Sequence, residues 1–157
     1  MNYSHPYLAK PENVSMNHLV DEIFSLFKEQ LAWKNITFNK QIKNENIIFD
    51  PGQLKQIFIN LISNSIEAIG ENGAITIESE NMNQTTQVKV SDTGNGIPAE
   101  KLNDVFNPFF TNKKNGTGLG LAICKKLCLQ NNAQIEVNNN PNIGCQFIIS
   151  KRSKYDA

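Results

Sequence analysis

Cysteine, histidine and tryptophan are scarce in this 157-residue chain: three, two and one, respectively. The odd cysteine count, with no C-x-x-C pair and no paired histidines, excludes a zinc site. Cys124, Cys128 and Cys145 read instead as small buried hydrophobes, the first two spaced four apart on one helix. No apolar run is long enough to span a bilayer. The N-terminus lacks the basic and apolar blocks of a signal peptide. Charge of one sign is also missing, since 15 basic residues cancel 15 acidic ones. That balance excludes a basic stripe for nucleic acid and an acidic solvating tail. The expectation is a cytoplasmic piece with no nucleic-acid partner and no direct membrane contact.

What is present suffices for one domain with a hydrophobic core. Met1 to Ser15 has little periodicity and two prolines, and reads as a linker or a remnant of something upstream. Met16 to Trp33 repeats apolar residues at helical spacing (Val20, Ile23, Phe24, Phe27, Leu31). Ile36 to Ile42 and Ile47 to Phe49 read as strands. Asp50-Pro51 starts a helix with a side-chain cap and a proline at the first helical position, and Gly70 stops it. Ala74 to Glu80 and Thr86 to Asp92 are strands joined by an Asn-rich turn. A short helical stretch from Pro98, an irregular segment Val105 to Thr117, a helix Gly118 to Asn131 and strands Gln134 to Asn138 and Cys145 to Ser150 follow. Strands in adjacent pairs with helices between them predict an α/β fold, a mixed sheet covered by helices on one face. No internal repeat is present.

Four stretches carry chemistry. In "DPGQLKQIFINLISNSIEAIG", Leu54, Ile57, Phe58, Leu61, Ile62 and Ile69 share one helix face; Gln53, Gln56, Asn60, Ser63, Asn64 and Glu67 share the other. Asn60 and Asn64 lie one turn apart, either on a solvated face or offering amide oxygens to a hard cation such as Mg²⁺. In "VSDTGNGIP", Asp92 ends a strand and Gly94 and Gly96 follow. This is either an Asx-type turn or an acceptor carboxylate facing an exocyclic amine such as adenine's. "VFNPFFTNKKNGTG" reads as a loop pinned by Phe106, Phe109 and Phe110, or as a mobile cover whose Lys113 and Lys114 offer charge to phosphates. Gly116, Gly118 and Gly120 then precede a helix. Their spacing fits neither the P-loop nor the dinucleotide fingerprint. They form either a flexible turn or a helix start whose N–H groups meet an anion.

In this order, N-x-x-x-N on a helix, D-x-G-x-G after a strand, F-x-P-F and G-x-G-x-G before a helix resemble the four nucleotide-binding boxes of the GHKL superfamily. More closely, they resemble the catalytic ATP-binding domain of bacterial sensor histidine kinases. The resemblance covers about Leu19 to Ile149, including the closing "GCQFII". It implies a two-layer α/β sandwich of the Bergerat type, with a mixed, mostly antiparallel sheet, helices on one face and a mobile ATP lid. Residues 16–151 would form that domain and residues 152–157 a polar tail.

By the same resemblance, Asn64 would coordinate Mg²⁺ with Asn60 supporting it. Asp92 would accept the adenine amine, Gly94 and Gly96 would shape the pocket floor, and Ile97 would line it. Phe109 would hold the lid, Gly116, Thr117, Gly118, Leu119 and Gly120 would wrap the phosphates, and Lys113 or Lys114 would touch the γ-phosphate. Water-splitting relatives carry a glutamate at the position of Asn60; an amide has no useful basicity, so a poor ATPase is implied. Glu67 is acidic where many histidine kinases carry a basic residue, as in the nitrogen-sensor-like branch. The phosphoacceptor is implied to be a histidine on a separate helical-hairpin dimerisation domain, with a response regulator downstream, and neither His5 nor His18 fits that role. The full-length protein would be a kinase whose membrane anchor, if any, lies upstream. A stand-alone serine kinase of the anti-sigma-factor type and a nucleotide-sensing binding module remain alternatives.

Overall fold

The computed structural model describes residues 8–108, 120–140 and 144–152. In chain order they form β1 (Glu12–Ser15), α1 (Met16–Trp33), β2 (Ile36–Ile42), β3 (Asn46–Phe49), α2 (Pro51–Ile69), β4 (Gly73–Met82), β5 (Thr85–Asp92), a 3-10 helix (Ala99–Asp104), α3 (Gly120–Gln130), β6 (Ala133–Asn140) and β7 (Gly144–Arg152). Five strands make the main sheet in the order β2-β4-β5-β7-β6. β2 runs parallel to β4, and the other neighbours are antiparallel. α1 lies over β2, α2 over β4 and β5, and α3 over β6. The fold is therefore the two-layer sandwich expected, a mixed and mostly antiparallel sheet with its helices on one face.

Alternation along the strands explains the single covered face. Ile75, Ile77, Val88, Val90, Phe147 and Ile149 join one core cluster with Leu54, Ile57, Phe58 and Leu61 of α2. Thr76, Glu78, Gln87 and Lys89 point the other way and stay half-buried, with Lys89 paired to Glu80 at 3.6 Å. β4 and β5 meet in a two-residue turn, Asn83 and Gln84, both at positive φ (52° and 67°). That backbone twist matches the strands it joins.

α2 is the spine of the domain, and its limits follow from local chemistry. The Asp50 carboxylate accepts from the Gln53 N–H at 3.0 Å, Pro51 opens the first turn, and Gly70 at φ 75° closes the last. Leu54, Ile57, Phe58, Leu61 and Ile62 are fully buried, each removal from water being worth about 1.5–3 kcal/mol.

Two expectations, for Glu12 to Ser15 and for Gln53, are corrected. Glu12 to Ser15 is a strand rather than linker, pairing antiparallel with β3 as a separate two-stranded sheet. Only Val14 of its four residues is buried, so it carries no periodic signal. β2 and β3, neighbours in sequence, part company: β2 pairs across the sheet with β4 and β3 with β1. Gln53, placed on the polar face of α2, is 4% exposed. Its amide accepts from Asn131 Nδ2 at 2.7 Å and donates to Gln130 at 2.9 Å. Helix and strand ends also shift slightly; β7 runs through Arg152, the first residue of the supposed tail.

Gln53 belongs to a buried polar knot that ties the start of α2 to the end of α3. Asn131 Oδ1 accepts from the Asp50 N–H at 2.8 Å, and Nδ2 also donates to the Leu127 carbonyl at 2.8 Å. The Asn131 carbonyl accepts from the Lys151 ammonium at 2.8 Å. Among the described residues no buried side-chain nitrogen or oxygen lacks a hydrogen-bond partner. Asn131→Ala strands the Asp50 N–H and the Gln53 amide, so it should destabilise the domain by roughly 2 kcal/mol or more, read as a lower midpoint in urea unfolding.

Candidate nucleotide-binding site

The site is built where the C-terminal half of α2 meets the end of β5. Asp92 ends β5 with its carboxylate turned inward, and the residue is 4% exposed. Oδ1 accepts from the Gly94 N–H at 2.9 Å. Oδ2 accepts from the Ser65 hydroxyl on α2 at 3.2 Å. Burial raises its pKa above the usual carboxylate value; bonds from the Gly94 N–H, the Ser65 hydroxyl and the Cys145 backbone pull the other way. The sign of the linkage follows. A raised carboxyl pKa means the folded state holds the proton longer than the unfolded one. Stability contributed by this group is therefore present at low pH and lost as pH rises through the folded pKa. Asp92 works against stability at neutral pH, and its retention there calls for another reason.

The glycines allow the close packing this needs. A Cβ on Gly94 would lie 2.7 Å from the Ala68 carbonyl carbon, so the turn after Asp92 rests directly on the backbone of α2. A Cβ on Gly144, at the start of β7, would overlap the Asp92 carbonyl. Gly96 sits at φ 76°, and half-buried Ile97 follows. The side chain of Asn139 on β6 holds Ile97 from both sides: its Oδ1 accepts from the Ile97 N–H at 2.9 Å, and its Nδ2 donates to the Ile97 carbonyl. One amide thus mimics a strand neighbour and pins the segment at Ile97 to the edge strand β6.

On the outer side, Asn60 and Asn64 are half-buried, one turn apart on α2 as expected. Asn60 Nδ2 donates to the Gly120 carbonyl at 3.1 Å, and Oδ1 accepts from Gln56 at 3.0 Å. That bond ties α2 to the first turn of α3. Phe106 packs edge-on against Phe147, ring centres 6.2 Å apart. Phe109, Lys113, Lys114, Gly116, Thr117, Gly118 and Leu119 lie outside the described residues. The three cysteines are buried as expected, and burial pushes each thiol up to about 12.

The structure therefore places Asp92, Gly94, Gly96 and Ile97 along one stretch after β5, with Gly94 against α2 and Ile97 against Asn139, and joins Asn60 to Gly120. Ser65 and Asn139 were not foreseen. Ser65 had a signal: it falls seven residues after Phe58, a hydroxyl on the apolar stripe of α2. Asn139 had none, since it stands inside the run Asn138-Asn139-Asn140.

A family model described as histidine kinase-, DNA gyrase B-, and HSP90-like ATPase matches residues 49–154. The chain belongs to this ATPase family. Sporulation kinase C of Bacillus subtilis is 32% identical, the match covering 96% of this chain and 37% of that protein. The chain spans 25% to 37% of the length of the first curated relatives it matches. The nucleotide-free catalytic domain of histidine kinase ThkA is similar at TM-score 0.83 and 38% identity, covering 92% of this chain and 96% of that one. ThkA in complex with the response regulator TrrA is similar at TM-score 0.83 and 34% identity, covering 97% of this chain and 44% of that one.

In this ATPase-family domain, Asn139→Ala should free the Ile97 backbone. Amide hydrogen exchange at Ile97 should accelerate about threefold to tenfold, the equivalent of about 0.5–1.5 kcal/mol for one hydrogen bond, with global stability little changed.

Proposed function

We propose that this chain is the ATP-binding catalytic domain of a sensor histidine kinase, which hands the γ-phosphoryl group of ATP to a histidine on a separate helical-hairpin dimerisation domain. The observation that carries the reading is Asp92, a carboxylate kept almost out of water at a strand end with a glycine-lined approach. Support comes from the likeness to the ThkA catalytic domain over nearly its whole length.

A carboxylate is an acceptor only, so it selects a donor; the exocyclic amine of adenine is the donor that fits. Gly94 and Gly96 bring the backbone close to the flat base, and Ile97 contributes apolar surface. Gly120, with Gly116, Gly118 and Leu119 before it, Thr117, and Lys113 and Lys114 would meet the phosphates, with Phe109 holding the cover. Asn64 fits a hard cation by the chemistry of its neutral amide oxygen, a donor suited to Mg²⁺ that takes its remaining ligands from phosphates and water. When bound, Mg²⁺ would neutralise phosphate charge, which matters more because Glu67 adds none of the right sign. Asn60 would support from one turn back, by tying α2 to α3.

In the transfer, the imidazole nitrogen forms a bond to the γ-phosphorus while the bond to the β–γ bridging oxygen breaks. ADP leaves, and the imidazole gives up its other N–H proton to solvent. A neutral imidazole is already a nucleophile, so this chain need only position and orient. Asn60 offers no base to activate water, which keeps the γ-phosphoryl group for histidine. The domain would act in the cytoplasm, where ATP is available. Among the described residues no helix is long and apolar enough to cross a membrane. A response regulator would take the phosphoryl group onward, as the ThkA–TrrA complex suggests.

The test is incubation of labelled ATP with this chain and a separately made histidine-hairpin domain. Acid-labile label on the hairpin, with little phosphate released to water, is expected. Acid-stable label would favour a serine kinase, and ATP binding with no transfer would favour a nucleotide sensor. Asp92→Ala should weaken ATP binding at least about tenfold, since a hydrogen bond to a charged group is worth about 1.5–3 kcal/mol; near-normal affinity in calorimetry would remove the adenine role. Asn64→Ala should abolish the Mg²⁺-dependent part of ATP affinity while leaving adenosine binding unchanged.

A further inference from the structure

We infer that Ser65 is a positioning residue that makes the base-recognition carboxylate selective for an amino-substituted purine. The inference deepens the reading of Asp92 above and rests on it.

The Gly94 N–H holds Oδ1 at 2.9 Å, and the Cys145 backbone at the start of β7 adds a further bond to the carboxylate. The Ser65 hydroxyl, donating at 3.2 Å, holds the second oxygen from a different element. Donors from the turn after β5, from β7 and from α2 together fix the plane of the group, and Ser65 supplies the one from a side chain. Three donors on about four acceptor positions leave the carboxylate a lone pair for a ligand donor. Ser65 is 1% exposed, so water cannot easily replace its hydroxyl once it is removed. It stands on the stripe formed by Phe58, Leu61 and Ile62, all fully buried, where a hydroxyl has to be hydrogen-bonded to be tolerated. Its hydroxyl donates to Asp92 on the neighbouring strand. The same bond also favours the ionised carboxylate against the desolvation that opposes it. Ser65 therefore acts on the ligand through Asp92 and never touches it.

Discrimination between ATP and ITP isolates this effect, because inosine carries a carbonyl oxygen where adenine carries its amine. The folded wild-type domain should bind ATP more tightly than ITP in calorimetry. Ser65→Ala should weaken ATP binding about threefold to tenfold and change ITP binding less than twofold, so that the preference shrinks. Ser65→Cys, close in size with a weak S–H donor, should behave the same way and serves if the alanine variant does not fold. Equal losses for ATP and ITP, or an unchanged preference in the folded variants, would overturn the positioning role while leaving the adenine contact of Asp92 standing. A wild-type protein that binds both nucleotides equally would instead overturn the adenine contact, and this inference with it.

Discussion

The site depends on three stretches of backbone lying closer together than side chains permit. The turn after Asp92 rests on the Ala68 carbonyl of α2, and the start of β7 rests on the Asp92 carbonyl. Both approaches exist only because Gly94 and Gly144 lack a Cβ. With a wider spacing, Ser65 could not reach the Asp92 carboxylate and the carboxylate would have a water-filled gap behind it. Close packing thus turns an ordinary strand-end aspartate into a desolvated acceptor. The domain gives up stability there in return for a group whose hydrogen-bonding choice is restricted.

Stability is recovered at the other end of α2. Asp50, Gln53 and Asn131 exchange hydrogen bonds out of water, and Lys151 closes the group from β7. Such a network is favourable only when every member is satisfied, which it is among the described residues. One helix therefore has two different ends. Its N-terminal end is fully paired and fixes the domain, and its C-terminal half carries Asn60, which bonds Gly120, and Ser65, which bonds Asp92. Asn60 ties this half of α2 to the first turn of α3 through the Gly120 carbonyl.

Much of this was legible in the chain because the relevant signals are local. The cap Asp50-Pro51, the 3.6-residue apolar spacing of α2 and the glycine at its end define that helix without reference to anything distant. Asp92 and its glycines announced themselves at the end of an alternating strand. What could not be read depends on partners far away in sequence. β1 is a strand only because β3 lies beside it, and β2 finds β4 across the whole of α2. Gln53 looked like a surface residue because its burial is supplied by Gln130 and Asn131 near the other end of the chain. Asn139 is one asparagine of three in a row, and only the sheet tells which one reaches Ile97. Residues 109–119, which include most of the segment read from composition as a pinned loop or a cover, lie outside those described.

The turn at Asn83 and Gln84 bears on how the chain reaches this state. A two-residue loop with both φ angles positive closes β4 onto β5 at little entropic cost, and the pairing continues from Met82–Thr85 to Ile75–Asp92. This hairpin is the most local part of the sheet, whereas β2 waits for α2 to cross and β7 joins β5 from some sixty residues away. Low contact order favours early formation. Asp92 would then be placed at the end of a completed hairpin before α2 settles upon it, with Ser65 arriving last among its protein partners on that side. The order of assembly would leave the acceptor carboxylate hydrated until the final docking of the helix drives its water out.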